Sequence, residues 1–411
     1  MSSLEDSSLR LKRQRTLRVL LTAEFMSMLG TQLSAVGMPW LVLQLTGSSR
    51  DMGLVMAAQL AAIAVFGVFG ASLVGRMGPR RVMLVGDTVR GPLVALLPLL
   101  YYLGWLNIGV FIVVMFAVGA FYAPYLASQQ SILPLVVGED EALLSRATAT
   151  LQTATRLSVL IGPLLSGVLI TALGAPVVLM LDAASFVASA VLLRLYLPRT
   201  EPGMEPVKAG RQSVGAGARM LLSDRLVGSW SLGLVIGEMV WQALFALLPV
   251  IALTQQHGSP MVAGVLLAMF GGGAVTGTLL VGLLLRRVPA LTLAVAGRVA
   301  LGLAFVMLLL PLSIEALAGC LLLAGLLNGV SSAPIAAVRA LRIPPAKRTE
   351  SLTVATALAL AAGALGWALA GTAAQSAGLP AIFHALAVLQ VMAAALFVFG
   401  ARAPAQETQK G

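Results

Sequence analysis

Seven ionisable side chains interrupt otherwise apolar runs of this chain: Glu24, Asp87, Arg90, Arg156, Asp182, Glu238 and Arg298. Each is costly to place in hydrocarbon, so each needs a partner or a use. A carboxyl group in a partly dry cavity suits reversible protonation, and a guanidinium there can hold a carboxylate or an anionic ligand. Asp87 and Arg90 stand one helical turn apart, which makes a local ion pair available. Glu24 shares a helical stripe with Ser27, Thr31 and Gln32, and Glu238 shares one with Trp241, Gln242 and Phe245. Tyr122, Tyr125 and Gln129 fall at i, i+3 and i+7, and Asn328, Ser331 and Ser332 cluster on one helical face. Such stripes either pack helices or give a largely apolar cavity a few hydrogen-bonding points, which suits amphiphilic ligands. Arg156 is a candidate counter-charge for Glu24 or for a substrate anion. Asp182 reads as a structural ion-pair candidate with Arg90 or Arg156, and Arg298 reads similarly.

Other chemistries find no residues to carry them. No phosphate-cradling Gly-Lys-Ser/Thr loop is present, so ATP does not drive a process through this chain. One cysteine, Cys320, permits no internal disulfide and no thiolate cluster. His257 and His384 sit in a loop and in the last apolar run and make no metal site. No Ser/His/Asp or Cys/His arrangement is visible. The expectation is therefore no enzyme, no metal and no cofactor.

The elements that must position these side chains follow from composition. Of 411 residues, 59% are hydrophobic and only 10% are charged; a soluble domain carries roughly 25% charged residues to coat its surface. Apolar stretches near 17–44, 52–75, 82–103, 108–135, 142–172, 177–197, 226–253, 261–285, 289–312, 315–340, 351–377 and 380–401 are each long enough to cross a bilayer as a helix. A barrel would instead show short alternating segments. The first stretch is too long for the apolar core of a signal peptide and is read as a retained span.

The formal net charge of +11 would suggest nucleic acid in a soluble protein. Here the cations are distributed by topology. Of the 27 Lys and Arg residues, 23 lie at the N-terminus, in loops after even-numbered spans or at the C-terminus, and only Arg50 lies on the opposite side. Both termini are thus expected in the cytoplasm. The stretch 198–225, with its Pro, Gly and mixed charges, has a linker composition. It separates a block at 17–197 from a block at 226–401, with tails at 1–16 and 402–411.

The two blocks repeat each other. Pro124 and Pro134 recur as Pro334 and Pro344, and Gly119 as Gly329. Gly162, Gly167, Gly174 and Pro176 recur with identical spacing as Gly366, Gly371, Gly378 and Pro380. Gln32 and Pro39 are matched by Gln242 and Pro249. Parallel six-span repeats about an axis along the membrane normal are the plan of one large transporter class.

With these residues in view, the sequence resembles the major facilitator superfamily, and more narrowly its bacterial branch of enterobactin exporters and macrolide efflux pumps. The resemblance lies in the run Pro39 to Ser49 followed by Gly53, in the loop Gly75 to Arg81, in Asp87 and Arg90, in Ile132 to Val136, in Ile161 to Gly167, which is similar to the antiporter motif of span five, and in Leu181 to Ala190. It covers about residues 18–197 closely and the second block loosely. Gly75 stands where the loop motif normally has an acidic residue, and Asp87 is the nearby substitute. Arg146 stands where the branch often has Asn.

The resemblance implies twelve membrane helices in two pseudo-symmetric six-helix bundles, with spans one, four, seven and ten lining a central cavity. It implies secondary active transport by alternating access. The leading expectation is a proton-coupled exporter, an antiporter of small amphiphilic molecules such as drugs, macrolides or siderophores, with Glu24 and Glu238 as coupling groups. Gln32, Gln242, Trp241, Tyr122, Tyr125, Gln129, Asn328 and Arg156 join them as cavity candidates. Gly75, Arg76, Gly78, Arg80, Arg81, Asp87 and Arg90 form a candidate cytoplasmic latch. Gly162, Pro163 and Gly167 form a kinked, closely packed face that either only packs or also gates. The implied setting is the inner (plasma) membrane, as a monomer binding its small-molecule substrate, protons and lipid but no nucleic acid. The alternatives are a lysophospholipid or lipid transporter of the same fold, a non-transporting membrane sensor and a membrane-embedded acyltransferase.

Overall fold

A backbone crossing hydrocarbon has no water to bond with, so it must satisfy its own polar groups, and a helix does so within one segment. The computed structural model describes residues 2–137, 141–197, 214–255 and 258–402. The described residues form thirteen α-helices and one short 3-10 turn, without a strand. The helices are α1 (Ser2–Thr46), α2 (Ser49–Met77), α3 (Pro79–Tyr102), α4 (Ile108–Val137), α5 (Glu141–Leu173), α6 (Ala175–Tyr196), α7 (Val214–Ser223), α8 (Arg225–Gln255), α9 (Pro260–Leu284), α10 (Ala290–Val306), α11 (Ile314–Arg342), α12 (Pro345–Ser376) and α13 (Gly378–Ala401). All but α7 lie in segments long and apolar enough to span a membrane, twelve in number. The twelve expected spans are therefore present.

The helix ends follow local chemistry. Ser48 caps α2 by accepting from the Asp51 amide at 3.1 Å. Gly78 takes φ +79°, which a side chain rarely adopts, and Pro79 opens α3 behind it. Gly174 and Gly378 do the same in the two repeats, at φ +84° and +76°, ahead of Pro176 and Pro380.

Part of the stretch expected as linker is ordered structure. Residues 198–213 lie outside the described residues, but α7 follows directly and packs on α12. Gly217 permits this contact: a Cβ there would stand 2.9 Å from the Glu350 carbonyl oxygen. Asp224 then caps α8 through the Val227 amide at 2.8 Å and pairs with Arg342 at 3.5 Å. The expected C-terminal tail from 403 onward lies outside the described residues, as does His257.

The chain forms two compact units, residues 1–211 with 246–268, and 212–245 with 269–411. In the first, α2 packs on α4, α1 on α5 and α6, and α3 on α4 and α6. In the second, α10 packs on α11 and α13, and α12 on α7 and α13. The repeated glycines make repeated contacts. Gly119 of α4 lies against Gln59 and Ala62 of α2, and its counterpart Gly329 of α11 against Ala274 and Thr278 of α9. Gly162 of α5 lies against Gln32 of α1, and its counterpart Gly366 of α12 against Met239 and Ala243 of α8. Without a solvent-driven hydrophobic effect, helices in lipid associate by close packing, and small residues allow it.

Candidate functional site

The polar stripe of α1 runs Glu24, Ser27, Thr31, Ser34, spaced three or four residues apart and so on one face. Glu24, Ser27 and Ser34 are buried. That face meets α4 and α6, and the polar groups there find one another. Tyr125 of α4 donates its hydroxyl to Glu24 Oε1 at 2.8 Å, and Gln129, one turn further, donates to Glu24 Oε2. Tyr122, Tyr125 and Gln129 thus converge, two of them on one carboxyl group.

Arg90 of α3 is 2% exposed. Its Nη1 lies 3.8 Å from Asp87 Oδ1, the local ion pair that the spacing made available. Its Nη2 donates to Thr31 Oγ1 at 3.4 Å. Three rings surround the guanidinium, Phe186 at 4.0 Å, Tyr122 at 4.7 Å and Tyr125 at 5.5 Å, a setting in which ring quadrupoles replace part of the lost hydration. Asp87 also accepts from Ser189 of α6 at 2.6 Å.

Asp182 of α6 departs from the expectation of an ion pair. Its Oδ2 accepts from Ser34 of α1, a neutral hydroxyl, and its Oδ1 has no hydrogen-bond partner. The reason is geometric: α1 and α6 approach closely at Gly30, whose Cβ position falls against Ser185 and Asp182. Arg156 is exposed on α5, whereas Glu24 takes its hydrogen bonds from α4.

Within the stretch expected as a cytoplasmic latch, Arg80 caps a helix. Arg80 donates from Nε to the Leu197 carbonyl at 2.9 Å and from Nη2 to that of Arg194 at 3.2 Å. A cation is favourable where a helix leaves its last carbonyls unpaired, here the end of α6. Arg76 and Arg81 are exposed, and Gly75 is half-buried. Asp87 is drawn to Arg90 and Ser189.

The Ile161–Gly167 motif of α5 presents two sides. On one, Gly162 lies against Gln32, and Ser166 donates to the Leu33 carbonyl at 2.7 Å. On the other, a Cβ on Gly167 would stand 2.9 Å from Met261 Cα, and one on Gly264 would strike the Pro163 carbonyl oxygen. The first turns of α9, part of the second repeat by sequence, thus pack backbone to backbone on α5.

In the second unit, Trp367 of α12 donates to Gln242 Oε1 at 2.8 Å, and Gln242 donates to Glu238 Oε1 at 2.8 Å. Gly363 makes room for both α8 side chains. Arg298 of α10 is buried, acts electrostatically on Glu238 and lies 5.4 Å from the Phe397 ring. Trp241 turns the other way, into rings of Phe270 at 4.4 Å, Phe305 at 5.2 Å and Phe245 at 5.9 Å. Asn328 is half-buried; the Ser331 and Ser332 hydroxyls return to carbonyls of their own helix, at Leu327 and Asn328.

Ser34, Ser189, Phe186 and Trp367 were not singled out from the sequence. Ser34 continues the α1 stripe ten residues after Glu24, and Phe186 and Ser189 follow Asp182 at i+4 and i+7. The periodicity held this signal. Trp367 lies among Ala and Gly with no pattern to mark it.

Two regions, residues 20–319 and 252–411, match the sequence profile of the Major Facilitator Superfamily. The chain belongs to the Major Facilitator Superfamily. It is accordingly a multi-pass membrane transporter, not an enzyme. Among major facilitator relatives, the multidrug efflux pump Tap of Mycobacterium tuberculosis is 26% identical over 382 residues, covering 90% of both chains. Tap of Mycolicibacterium fortuitum is also 26% identical, covering 90% of this chain and 92% of its own. Solved structures share the fold. A bacterial homologue of the human lysosomal transporter Spinster aligns with a TM-score of 0.73 at 15% identity, over 95% of this chain and 97% of its own. The nucleoside transporter NupG aligns with a TM-score of 0.69 at 14% identity, over 92% and 99%.

Proposed function

We propose that this chain is a proton-coupled exporter of small amphiphilic molecules, working by alternating access in the plasma membrane with both termini in the cytoplasm. The observation that carries the reading is Glu24: a carboxyl group enclosed in a membrane-spanning bundle and held by two neutral donors, Tyr125 and Gln129. Similarity along nine-tenths of the chain to multidrug efflux pumps supports drug-like cargo. Glu238, linked through Gln242 to Trp367, stands on the first span of the second repeat, one helical turn from the position that matches Glu24.

A carboxyl group in such a place can bind a proton on one side of the membrane and release it on the other. One proton moving through about 100 mV releases about 2.3 kcal/mol. At about 1.4 kcal/mol per decade, that sustains a roughly 50-fold gradient of neutral cargo.

The test is export of ethidium from proteoliposomes under an imposed pH gradient. Glu24→Gln and Glu238→Gln mimic the protonated state. Each substitution in a coupling group abolishes pH-driven uphill movement while downhill exchange persists. If neither changes the pH dependence of transport, the assignment of coupling to these residues fails.

A further inference from the structure

Among the described residues, four charged side chains are buried in the interior of the first unit: Glu24, Asp87 and Asp182 against the single cation Arg90. If all were ionised, two negative charges would stand uncompensated in a low-dielectric interior. Neutral hydroxyl and amide donors do not return that cost, and a buried group in this position takes up a proton instead. Arg90 neutralises one carboxylate. Asp87 is the one it neutralises, because it lies 3.8 Å from Nη1 and receives Ser189 as well.

The remaining two carboxyl groups have neutral partners. Glu24 has Tyr125 and Gln129. Asp182 has only Ser34 on Oδ2, while Oδ1 is buried and unpartnered. An ionised carboxylate offers about four acceptor sites, and this pocket fills few of them. Nor is there room for more: a Cβ on Gly30 would stand 2.6 Å from Asp182 Oδ1, so α1 closes over that oxygen. A neutral carboxylic acid, with its own proton and hydrogen-bonded through Oδ2 to the Ser34 hydroxyl, fits the site.

We infer that Asp182 is a second proton-binding site: the first unit holds two protons in this conformation, on Glu24 and Asp182, with Asp87 ionised against Arg90. The charged groups that act on Asp182 are Asp87 and Arg90 on α3; Glu24 lies further along α1 with Tyr125 of α4, and Tyr122 of α4 lies over Arg90. On α5, Arg146 and Arg156 are exposed, as is Arg194 near the end of α6.

Arg90 is placed to serve as a shared counter-charge. Its Nε and Nη1 make no hydrogen bonds, and ring faces rather than directional bonds hold much of the guanidinium. It lies within electrostatic reach of all three carboxyl groups. Loss of the proton from Asp182 or Glu24 creates a new anion that competes with Asp87 for Arg90. The column is long enough to matter: Glu24 and Ser34 are ten residues apart on α1, about 15 Å of rise, half of a hydrocarbon core of about 30 Å.

This inference deepens the proton-coupled reading, but its test reads protonation directly and needs no transport, so the two can fail separately. Infrared spectra of the chain in lipid nanodiscs at neutral pH resolve the carbonyl band of protonated carboxyl groups, and isotope-labelled aspartate shifts the aspartate contribution. The wild type shows a shifted aspartate band. Asp182→Asn removes it, the charge-balanced double variant Asp87→Asn with Arg90→Gln retains it, and Glu24→Gln reduces the unshifted glutamate band. Absence of an aspartate band in the wild type overturns the inference, as does a band lost in the double variant. If Asp182→Asn does not insert, the labelled wild type and the double variant still decide.

Discussion

Tyr125 bridges two ionisable groups of the first unit: its hydroxyl donates to Glu24 Oε1 at 2.8 Å while its ring lies 5.5 Å from the Arg90 guanidinium. One side chain of α4 thereby joins α1 to α3, and removing its oxygen separates two effects. Tyr125→Phe keeps the ring and deletes the donor. Intramembrane hydrogen bonds are worth about 0.5–2 kcal/mol, so thermal unfolding in detergent shifts only modestly. The pH profile of export moves, because Glu24 then relies on Gln129 alone. A profile identical to wild type would show that the hydroxyl only packs.

Arg90 and Asp87 behave as a unit under substitution. Arg90→Gln leaves Asp87 buried without its counter-charge, and breaking such a pair costs about 3–5 kcal/mol. Adding Asp87→Asn restores neutrality, so the double variant is more stable than Arg90→Gln. A double-mutant cycle by thermal unfolding measures this, and additive losses would contradict it.

Glycine substitutions sort by what a methyl group meets. Gly264→Ala drives a Cβ into the Pro163 carbonyl oxygen and a backbone wall at Gly167, so the variant accumulates poorly in membranes. Gly237 has nothing within 4 Å of its Cβ position, so Gly237→Ala is neutral or gains up to about 1 kcal/mol of helix propensity. Membrane protein levels and melting temperatures compare the two. Gly162→Ala presses on the Gln32 side chain and, if this face gates, slows ethidium export more than it lowers protein level.

Topology is tested by reporter fusions. Fusions at Arg211 and Gly411, both outside the described residues, score cytoplasmic. A periplasmic score at either site would overturn the positive-inside assignment.

The sequence by itself determined the membrane class, the twelve spans and the repeat. Hydrocarbon imposes one requirement on every span, a long apolar run, and composition alone records it. The local pair Asp87–Arg90 was legible too, because helical geometry fixes neighbours three residues apart. The repeated glycines were legible as positions, and in both halves they pack corresponding pairs of helices.

Only the tertiary structure decided which distant side chains meet. Nothing in the spacing gives Asp182 to Ser34, Asp87 to Ser189 or Glu24 to Tyr125, since these contacts depend on how neighbouring helices rotate and how closely they approach. Gly30 sets that approach for α1 and α6, and it places Asp182 against a hydroxyl instead of a guanidinium. Arg80 shows the same limit: the sequence marks a basic turn, but the carbonyls at the end of α6 that receive it are 114 and 117 residues away. Periodicity orders residues on one helix face, and packing alone selects what that face confronts.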